Sequence, residues 1–381
     1  MQHKLIEFKN IALSNDLLES KNDKPNLYDL KVVFDDETKL VQVVNNVNSE
    51  KMFNSTYVYD SSRSMTMLNH FEKTALSLEI GSNSGIFIKH FPTDKSVAVE
   101  PCTNFSDLTN KMGIKTYGDF WNKSTQEKVV SENGRFSLIF SSNTVSHVQN
   151  LQETLQLIKE SLLDDGVFVL ETPSFLEVLK YNAFDQFYHE HQSYFSYISV
   201  KNIVEKLGMR IFDLEQYSVH GGTYRFFICK QDSSFENVID NKIIEDEIMF
   251  GVDDYDKLCG VMDTIKHNIT EIKRVIEEIK SNGHSVVGYG ATAKFTNVMN
   301  MCGLNNNHID YVLDTTPLKN NKWIPNTNVQ IRAYEPSKVK DVDYFYLGAW
   351  NYKNEVINKE LQFIRNGGKF ITHIPEVTIL T

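Results

Sequence analysis

The feature that most constrains the fold is an alternation of short apolar segments with helical segments across residues 75–230. The apolar segments are residues 76–80, 96–99, 136–140, 167–170, 209–214 and 225–229. Strands that alternate with helices in this way are typical of a parallel or mostly parallel sheet. The predicted fold class is therefore α/β, with a Rossmann-like central domain.

With 381 residues, the chain exceeds the size that one hydrophobic core usually supports. Residues 1–65, polar apart from a strand candidate at 40–44, are predicted to form a small N-terminal lobe. The central domain is predicted at 66–250, a linking helix at 251–283, and a Rossmann-like α/β domain at 284–381. The C-terminal domain is expected to contain strands at 309–313, 344–347 and 370–373, after a strand, turn and helix at 285–294.

One long helix is predicted from apolar residues spaced alternately three and four apart, and Ser281-Asn282-Gly283 supplies a stop signal. The stripe consists of Tyr255, Leu258, Met262, Ile265, Ile269, Ile272, Ile276 and Ile279. Such a stripe either packs on its own chain or forms a coiled-coil seam between subunits, and the first is the expectation. Whether the protein is a monomer or a homodimer stays open.

Composition excludes several functions. A formal net charge of -11 argues against a nucleic-acid or anionic-membrane partner. Apolar runs fall short of the ~20 residues of a membrane span, and the N-terminus lacks the pattern of a signal peptide, so a cytoplasmic location is expected. The four cysteines contain no CxxC pair. Neither a disulfide framework nor a zinc knuckle is therefore predicted.

A glycine turn after the first central strand predicts a site for S-adenosylmethionine. The strand ends at Glu79, and Gly81, Ser82, Asn83 and Gly85 follow in a turn that opens a helix. Glycine lets a ligand approach closely, and the acid can bind the cationic end of an amino acid.

The second central strand ends at Glu100-Pro101, where an acid can accept hydrogen bonds from both ribose hydroxyls of an adenosine. Glu79 and Glu100 would repel a phosphate-rich nucleotide. The alternative interpretation is a tight βα turn with an unrelated surface acid.

The run Tyr188-His189-Glu190-His191 places four proton-transfer groups in four positions. A helix would put Tyr188 and His191 on one face, whereas an extended chain would pair Tyr188 with Glu190 and His189 with His191. Histidine, with an unperturbed pKa of ~6.5, is the natural general base near neutral pH. Glu190 could orient the base, and Tyr188 could stabilise an oxyanion.

This run has two other interpretations. His189 and His191 could bind a metal with His147 or His220 as a third ligand, but no recognised ligand spacing occurs, so no metal is predicted. Alternatively, the aromatic and histidine residues could fill an interdomain contact, with His189 as the structural member. The polar cluster from His220 to Arg225 is equally compatible with an ordinary turn.

The chain resembles the bacterial sugar C-methyltransferases nearly end to end. The resemblance rests on an ordered set of motifs. They are YVYDSSRS at 57–64, EIGSNSG at 79–85, VEP at 99–101, Asn143 with His147, YHEHQSYFS at 188–196, HGG at 220–222, GYGATAK at 288–294 and WNY at 350–352.

This resemblance implies an enzyme that uses S-adenosylmethionine to methylate a carbon of a nucleotide-linked 4-keto-6-deoxy sugar, expected at C3 and linked to dTDP or GDP. His191 is then expected to remove the proton beside the ketone, assisted by Tyr188, Glu190 and Tyr59. Asn143 is expected to contact the methyl donor. Substrate contacts are expected from Ser61, His147, His220, Gly221, Arg225, Tyr289 and Lys294. The C-terminal glycine turn would cradle the pyrophosphate.

The sequence departs from the family pattern at two places. Relatives carry an N-terminal zinc lobe with paired cysteines, whereas Asp35 and Thr38 stand where a second cysteine pair would precede residues 40–42. The metal is therefore predicted to be lost. Ser84 replaces the usual aspartate of the donor turn.

The sequence is also compatible with two other functions. Gly288-x-Gly290-x-x-Ala293 followed by Asp314 imitates a dinucleotide fingerprint and would suit an NAD-dependent oxidoreductase. Fewer than about a hundred residues follow Ser285, which is too few for the two halves of a dinucleotide fold. A methyltransferase fold kept as a non-catalytic binding protein would suit Ser84 and the missing zinc lobe, but Tyr188, Glu190 and His191 argue against it.

Overall fold

The computed structural model describes residues 1–45, 47–55, 57, 76–218, 221–339 and 341–380. Three sheets organise this part of the chain. The predicted site residues Tyr59, Ser61 and His220 lie outside the described residues. The domain boundaries drawn from the sequence stay predictions.

The N-terminal sheet is antiparallel, in the order β1-β2-β3-β9. Its strands are β1 (Gln2–Ala12), β2 (Leu27–Asp35), β3 (Val41–Val44) and β9 (Ser193–Tyr194), and helix α1 (Ser49–Met52) follows β3. The sequence predicted β3 but missed β1 and β2. Register shifts between Lys4 and Ile6 and between Phe8 and Ile11 interrupt the alternation of β1, which weakens its strand signal.

The central sheet has seven strands in the order β10-β11-β8-β7-β4-β5-β6. They are β4 (Ser77–Ile80), β5 (Ser96–Val99), β6 (Lys115–Tyr117), β7 (Phe136–Ser142), β8 (Leu162–Pro173), β10 (Met209–Tyr217) and β11 (Thr223–Lys230). Strands β4 to β8 pair in parallel, and β11 runs antiparallel to both its neighbours. The predicted mostly parallel α/β sheet is confirmed. The three-residue strand β6 was too short to predict.

Seven α-helices follow one another between residues 103 and 281 in the described part of the chain. They are α2 (Thr103–Lys111), α3 (Lys123–Asn133), α4 (Leu151–Ser161), α5 (Phe175–Lys180), α6 (Tyr197–Lys206), α7 (Asn241–Phe250) and α8 (Tyr255–Ser281). Within the described ranges, no helix has the apolar length that a membrane crossing needs.

Helix α8 carries the stripe predicted from the sequence. Leu258, Met262, Ile265, Ile272, Ile276 and Ile279 are buried in one hydrophobic cluster with residues of the N-terminal and C-terminal sheets. The N-cap Asp254 accepts hydrogen bonds from the backbone N–H groups of Asp256 and Lys257. The stripe therefore packs against its own chain, as expected.

The C-terminal sheet has the order β14-β15-β13-β12-β16-β17-β18. Its strands are β12 (Val286–Tyr289), β13 (Val312–Asp314), β14 (Trp323–Ile324), β15 (Val329–Ala333), β16 (Tyr344–Leu347), β17 (Lys369–Thr372) and β18 (Thr378–Leu380). The helices are α9 (Ala293–Met301), α10 (Lys353–Lys359) and α11 (Leu361–Arg365). The five inner strands are parallel and the two edge strands antiparallel. The short edge strands and β15 were not predicted.

Candidate active site

The turn after β4 has a backbone that only glycine accommodates at its first position. Gly81 has φ +75°, and an added Cβ would lie 2.1 Å from Oγ1 of Thr144. The Gly81 N–H donates to the carbonyl of Val99 at the end of β5. The predicted turn therefore stands at the carboxyl edge of the parallel strands, where α/β sheets bind ligands.

Two buried carboxylates stabilise this turn. Oε2 of Glu100 accepts a hydrogen bond from Asn83 N at 2.8 Å, and Oε1 accepts one from Cys102 N at 2.8 Å. Oε2 of Glu79 accepts one from Ile88 N at 3.1 Å. Burial raises the pKa of both carboxyls, and the nearby charge of Glu100 adds to the rise at Glu79. A cationic ligand would favour their ionised form.

Unused polar atoms face the same region. The hydroxyl of Ser82 and Oδ1 of Asn143 are buried without a hydrogen-bond partner among the described residues. A buried polar atom without a partner is costly, so a polar ligand beside it is expected. The two acids, the glycine turn and these free acceptors fit the ribose and amino-acid ends of S-adenosylmethionine. Pro101 follows Glu100 directly, and Ser84 is buried in the turn.

The loop after β7 connects this turn to the histidine run. Asn143 has φ +52°, and a 3-10 turn spans Val145–His147. Thr144 packs on Gly81, whereas Nδ1 of His147 donates to the carbonyl of Glu190 at 2.6 Å. The carbonyl of Ser146 accepts a hydrogen bond from Gln192 N at 2.8 Å. One short loop thus contacts the donor turn on one side and the histidine run on the other.

The histidine loop (residues 184–192) begins with a 3-10 turn at Phe184–Gln186 and then continues without regular structure. Nε2 of His191 lies 2.8 Å from the hydroxyl of Tyr188, and Nδ1 lies 3.1 Å from the carbonyl of Gln186. A carbonyl can only accept a hydrogen bond, so Nδ1 carries the proton of the neutral ring and Nε2 is the basic nitrogen. The hydroxyl of Tyr188 therefore donates to Nε2.

His147 has the same arrangement as His191. Its Nδ1 donates to a main-chain carbonyl, and the two imidazole ring centroids are 5.0 Å apart. Burial lowers the pKa of His147, against the hydrogen bonds that raise it. The ring also packs edge-on against Phe53, with 5.4 Å between centroids. In the neutral form of each ring, the nitrogen without a proton is therefore Nε2.

Glu190 is held by the N-terminal part of the chain. Nδ2 of Asn15 donates to both carboxylate oxygens at 2.8 and 2.9 Å, and the Tyr57 hydroxyl donates to Oε2 at 3.3 Å. Burial raises the pKa of Glu190 to about 7, although these hydrogen bonds lower it. The carboxyl therefore titrates near neutrality and ties the histidine loop to the N-terminal lobe.

His189 faces away from this arrangement. Its ring is buried edge-on against Tyr28 of β2, with 5.9 Å between centroids, and burial lowers its pKa to about 4. Its carbonyl accepts hydrogen bonds from the side chains of Asn45 and Gln192. Among the described residues, no group of three His, Cys, Asp or Glu side chains is arranged to hold a metal ion.

Known protein families match both the central part and the C-terminal part of the chain. Residues 57–214 match the family model for a methyltransferase domain, and residues 218–375 match the model for a C-methyltransferase C-terminal domain. The C-methyltransferase NovU of Streptomyces niveus is 28% identical over 398 residues, which cover 99% of this chain and 94% of NovU. The chain is an S-adenosylmethionine-dependent C-methyltransferase. The resemblance inferred from the motifs, the enzyme class and the methyl donor are thereby confirmed.

Solved structures that are similar to part of this chain include a methyltransferase from Thermotoga maritima, described as a possible histamine N-methyltransferase. It is 16% identical over 44% of this chain and 86% of its own, with a TM-score of 0.32. The CurJ carbon methyltransferase is 12% identical over 42% of this chain and 50% of its own, with a TM-score of 0.30.

In this C-methyltransferase, two of the predicted substrate-binding residues meet at Trp350. Nζ of Lys294 lies 5.3 Å from the centroid of the Trp350 ring, and a Cβ on Gly221 would lie 2.7 Å from that ring. The indole N–H donates to Oδ2 of Asp185 at 2.6 Å. Burial lowers the pKa of Lys294, and the charge of Asp185 partly offsets this. Lys294 therefore stands next to the start of the histidine loop.

Two other predicted substrate-binding residues of the methyltransferase have protein partners. The Tyr289 hydroxyl donates to Oε1 of Glu360 at 2.8 Å, inside a hydrophobic cluster of the C-terminal sheet. The Arg225 guanidinium donates to Oε2 of Glu171 at 2.8 and 3.0 Å and to Glu215 at 3.3 Å. Their predicted roles in substrate binding stay predictions.

The dinucleotide fingerprint of the methyltransferase has another use in the structure. Oδ2 of Asp314 accepts a hydrogen bond from Ala291 N at 2.8 Å, and Oδ1 accepts one from Thr316 N at 2.7 Å. Nζ of Lys319 lies 3.7 Å from the same carboxylate. Asp314 therefore stabilises the glycine turn with the oxygens that an oxidoreductase would offer to a ribose.

Sequence reasoning missed Asn15, Asp185, Asn297 and the carbonyl of Gln186, although all contact the histidine loop or belong to it. Asn15 reaches Glu190 across 175 positions, and Asn297 reaches Phe187 across 110. Single asparagines in turns and helices carry no periodic signal, so nothing in one sequence marked them. Trp350 was included in a family motif, but its contact with Asp185 was not foreseen.

Proposed function

We propose that this enzyme methylates the carbon beside the ketone of a nucleotide-linked 4-keto-6-deoxy sugar, at C3, with dTDP or GDP as the nucleotide. The observation that carries the proposal is the contact between Nδ1 of His191 and the Gln186 carbonyl, which makes Nε2 the basic nitrogen when the ring is neutral. A carbon beside a ketone becomes a nucleophile only when a base removes its proton.

The chemistry assigned to the chain's own residues begins at Nε2 of His191. This nitrogen takes the proton from the carbon beside the ketone, and the electron pair of the C–H bond moves to form an enolate. The Tyr188 hydroxyl, 2.8 Å from Nε2, turns its hydrogen bond to the enolate oxygen and stabilises the charge. When bound, S-adenosylmethionine supplies an electrophilic methyl group on a sulfonium.

Proximity between base and donor is supported by the loop after β7. Thr144 packs on Gly81 of the donor turn, and His147 contacts the histidine loop three residues later. Glu79, Gly81, Ser82, Asn83, Gly85, Glu100, Pro101 and Asn143 are assigned to hold the methyl donor. Such positioning contributes much of the acceleration of a two-reactant step.

Sugar recognition is assigned to the region around Trp350, where Lys294 and Gly221 lie. The N–H groups of Gly290 and Ala291 donate to the Leu313 carbonyl and to Asp314. The first turn of α9, with Lys294 as the cation, is therefore assigned to supply the backbone N–H groups for a pyrophosphate. His147, Gly221, Arg225 and Tyr289 are further assignments from the family resemblance. Tyr59, Ser61 and His220 are assigned on the same basis.

A screen of dTDP- and GDP-linked 4-keto-6-deoxy sugars, each deuterated at C3, tests this proposal. The expected result with S-adenosylmethionine is loss of deuterium and a product heavier by one methyl group. His191→Ala is expected to abolish both, whereas the matched variant His189→Ala keeps turnover in the fraction that folds. If no sugar in the panel loses deuterium or gains a methyl, the substrate class is wrong. If the label exchanges equally fast in His191→Ala, the base is another group.

A further inference from the structure

Consecutive carbonyls at the start of the histidine loop point to different partners. Nδ2 of Asn297 donates to the carbonyls of Asp185 and Phe187 at 3.2 and 2.9 Å. The carbonyl between them, that of Gln186, accepts from Tyr188 N at 3.1 Å, from Nδ1 of His191 at 3.1 Å and from the Tyr194 hydroxyl at 2.9 Å. One side chain of helix α9 therefore holds the two carbonyls that flank the acceptor of His191.

This contact is sealed from solvent. Asn297, Asp185 and Phe187 are fully buried, and Gln186 is 3% exposed. Water cannot readily replace a missing donor at such a site, so loss of Asn297 would leave two carbonyls unsatisfied. The segment would then regain those hydrogen bonds only by rotating its peptide groups.

The side chain of Asp185 gives the segment a second attachment to the C-terminal part. Its Oδ2 accepts the indole N–H of Trp350 at 2.6 Å and lies 3.4 Å from Nε2 of His373. Burial raises the pKa of Asp185, but His373, Lys294 and Trp350 together bring it below its usual range. Three side chains of the C-terminal part thus hold residues 185–187.

The position of the Gln186 carbonyl affects the tautomer of His191. The partner of one imidazole nitrogen decides which nitrogen carries the proton. If the Gln186 carbonyl rotates away, the Nδ1–H loses its acceptor, and the tautomer with a protonated Nε2 becomes competitive. That tautomer cannot accept a proton at the nitrogen beside Tyr188.

We propose that Asn297 is a positioning residue that fixes the basic tautomer of His191 from the C-terminal part of the chain. It acts through the carbonyls of Asp185 and Phe187 and does not touch the reacting atoms. The inference rests on the proposed function only where it calls His191 the base.

The test compares Asn297→Asp and Asn297→Ala with Asn300→Asp in the full-length protein. Asn300 lies one turn further along α9 and donates to the carbonyls of Thr296 and Pro325, so it is a matched control outside the histidine loop. Long-range ¹H–¹⁵N spectra of histidine-labelled protein, recorded with S-adenosylmethionine and without sugar, report the tautomer and pH titration of His191. The His191→Ala spectrum identifies its signals.

Both Asn297 variants are expected to show a tautomer mixture or a shifted titration of His191, and Asn300→Asp the parent spectrum. With a turned-over sugar, kcat is expected to fall about 10- to 100-fold with KM unchanged, as for other orienting partners of a histidine. Folding is checked by S-adenosylmethionine binding. Should both variants fail to fold, Tyr194→Phe, which removes a side-chain donor to the Gln186 carbonyl, replaces them.

A parent-like His191 spectrum in the folded variants would overturn the proposal. Because the spectra need no sugar, this outcome is distinct from failure of the proposed substrate class.

Discussion

His147 donates its Nδ1–H to the main-chain carbonyl of Glu190 at 2.6 Å, and its ring lies 5.0 Å from that of His191. His147 and Glu190 belong to different loops, because His147 follows β7 and Glu190 precedes β9. This hydrogen bond joins the loop that packs on the donor turn to the loop that carries the predicted base.

Replacement of His147 by alanine is expected to lower methyl transfer about 10- to 100-fold while leaving the Kd for S-adenosylmethionine within a few-fold. The physical reason is loss of the Glu190 carbonyl's partner, which lets the histidine loop move relative to the donor turn. Calorimetry and single-turnover kinetics measure the two effects. Gln149→Ala is the control, because Gln149 lies nearby but donates to the Val47 carbonyl. Equal losses in both variants would contradict a specific role for His147.

Gly81→Ala is expected to abolish S-adenosylmethionine binding, because its Cβ would lie 2.1 Å from Oγ1 of Thr144 and its φ is +75°. Gly113 has a similar φ of +84° with nothing within 4 Å of an added Cβ. Gly113→Ala therefore carries the backbone strain alone, about 1 kcal/mol of unfolding free energy. Thermal unfolding and calorimetry compare the two variants. Intact binding in Gly81→Ala would show that the turn is not the donor site.

Glu190→Gln is expected to flatten the pH dependence of stability. The folded protein keeps the Glu190 proton up to a pKa of about 7, whereas the reference value is 4.5, so the free energy of unfolding falls as pH rises through this window. In the neutral variant, the decrease in unfolding free energy between pH 4.5 and 8 should be smaller by up to about 3 kcal/mol. Urea unfolding between pH 4.5 and 8 measures it. Burial also raises the pKa of Glu247 to about 7. The contribution of Glu247 to the pH dependence of the unfolding free energy therefore remains in the variant. An unchanged slope would place the titration elsewhere.

Affinity for S-adenosylmethionine is expected to fall as pH is lowered. Burial raises the pKa of Glu79 and Glu100, and each must be ionised to attract the cationic donor or accept its ribose hydroxyls. Calorimetry in buffers of different ionisation enthalpy should detect proton release on binding at acid pH. Glu100→Gln should weaken binding and reduce that release, whereas Glu153→Gln, on helix α4, should not. The same instrument should detect no binding of NAD.

Chelation is expected to leave the melting temperature unchanged. Oδ1 of Asp35 accepts hydrogen bonds from Thr38 N and Thr38 Oγ1, both at 2.9 Å, so these two residues close the β2–β3 turn directly. Asp35→Ala should cost about 0.5–2 kcal/mol of unfolding free energy, and the exposed neighbour Asp36→Ala less. A stoichiometric amount of zinc in purified protein, or a lower melting temperature after EDTA, would contradict the predicted loss of the metal.

Local patterns in the sequence predicted much of this fold. The apolar segments of the central sheet, the stripe of helix α8 and the strand at Tyr344–Leu347 follow from periodicity within a few residues. Strand β1 escaped prediction because bulges interrupt its alternation, and β6 because it has three residues. Strand β2 was missed as well. The glycine turn with Glu79 and Glu100 was predictable because its residues are close in the chain.

The sequence by itself determined the α/β class, the glycine turn after β4 and the cluster Tyr188 to His191, since each depends on neighbouring residues. Only the tertiary structure decided which member of that cluster meets which partner. In the folded chain, His189 is buried against Tyr28, and the Glu190 carboxylate accepts a hydrogen bond from Asn15. The Nδ1–H of His191 donates to the Gln186 carbonyl. Those partners come from distant segments, and a histidine's tautomer and pKa follow from the groups around it.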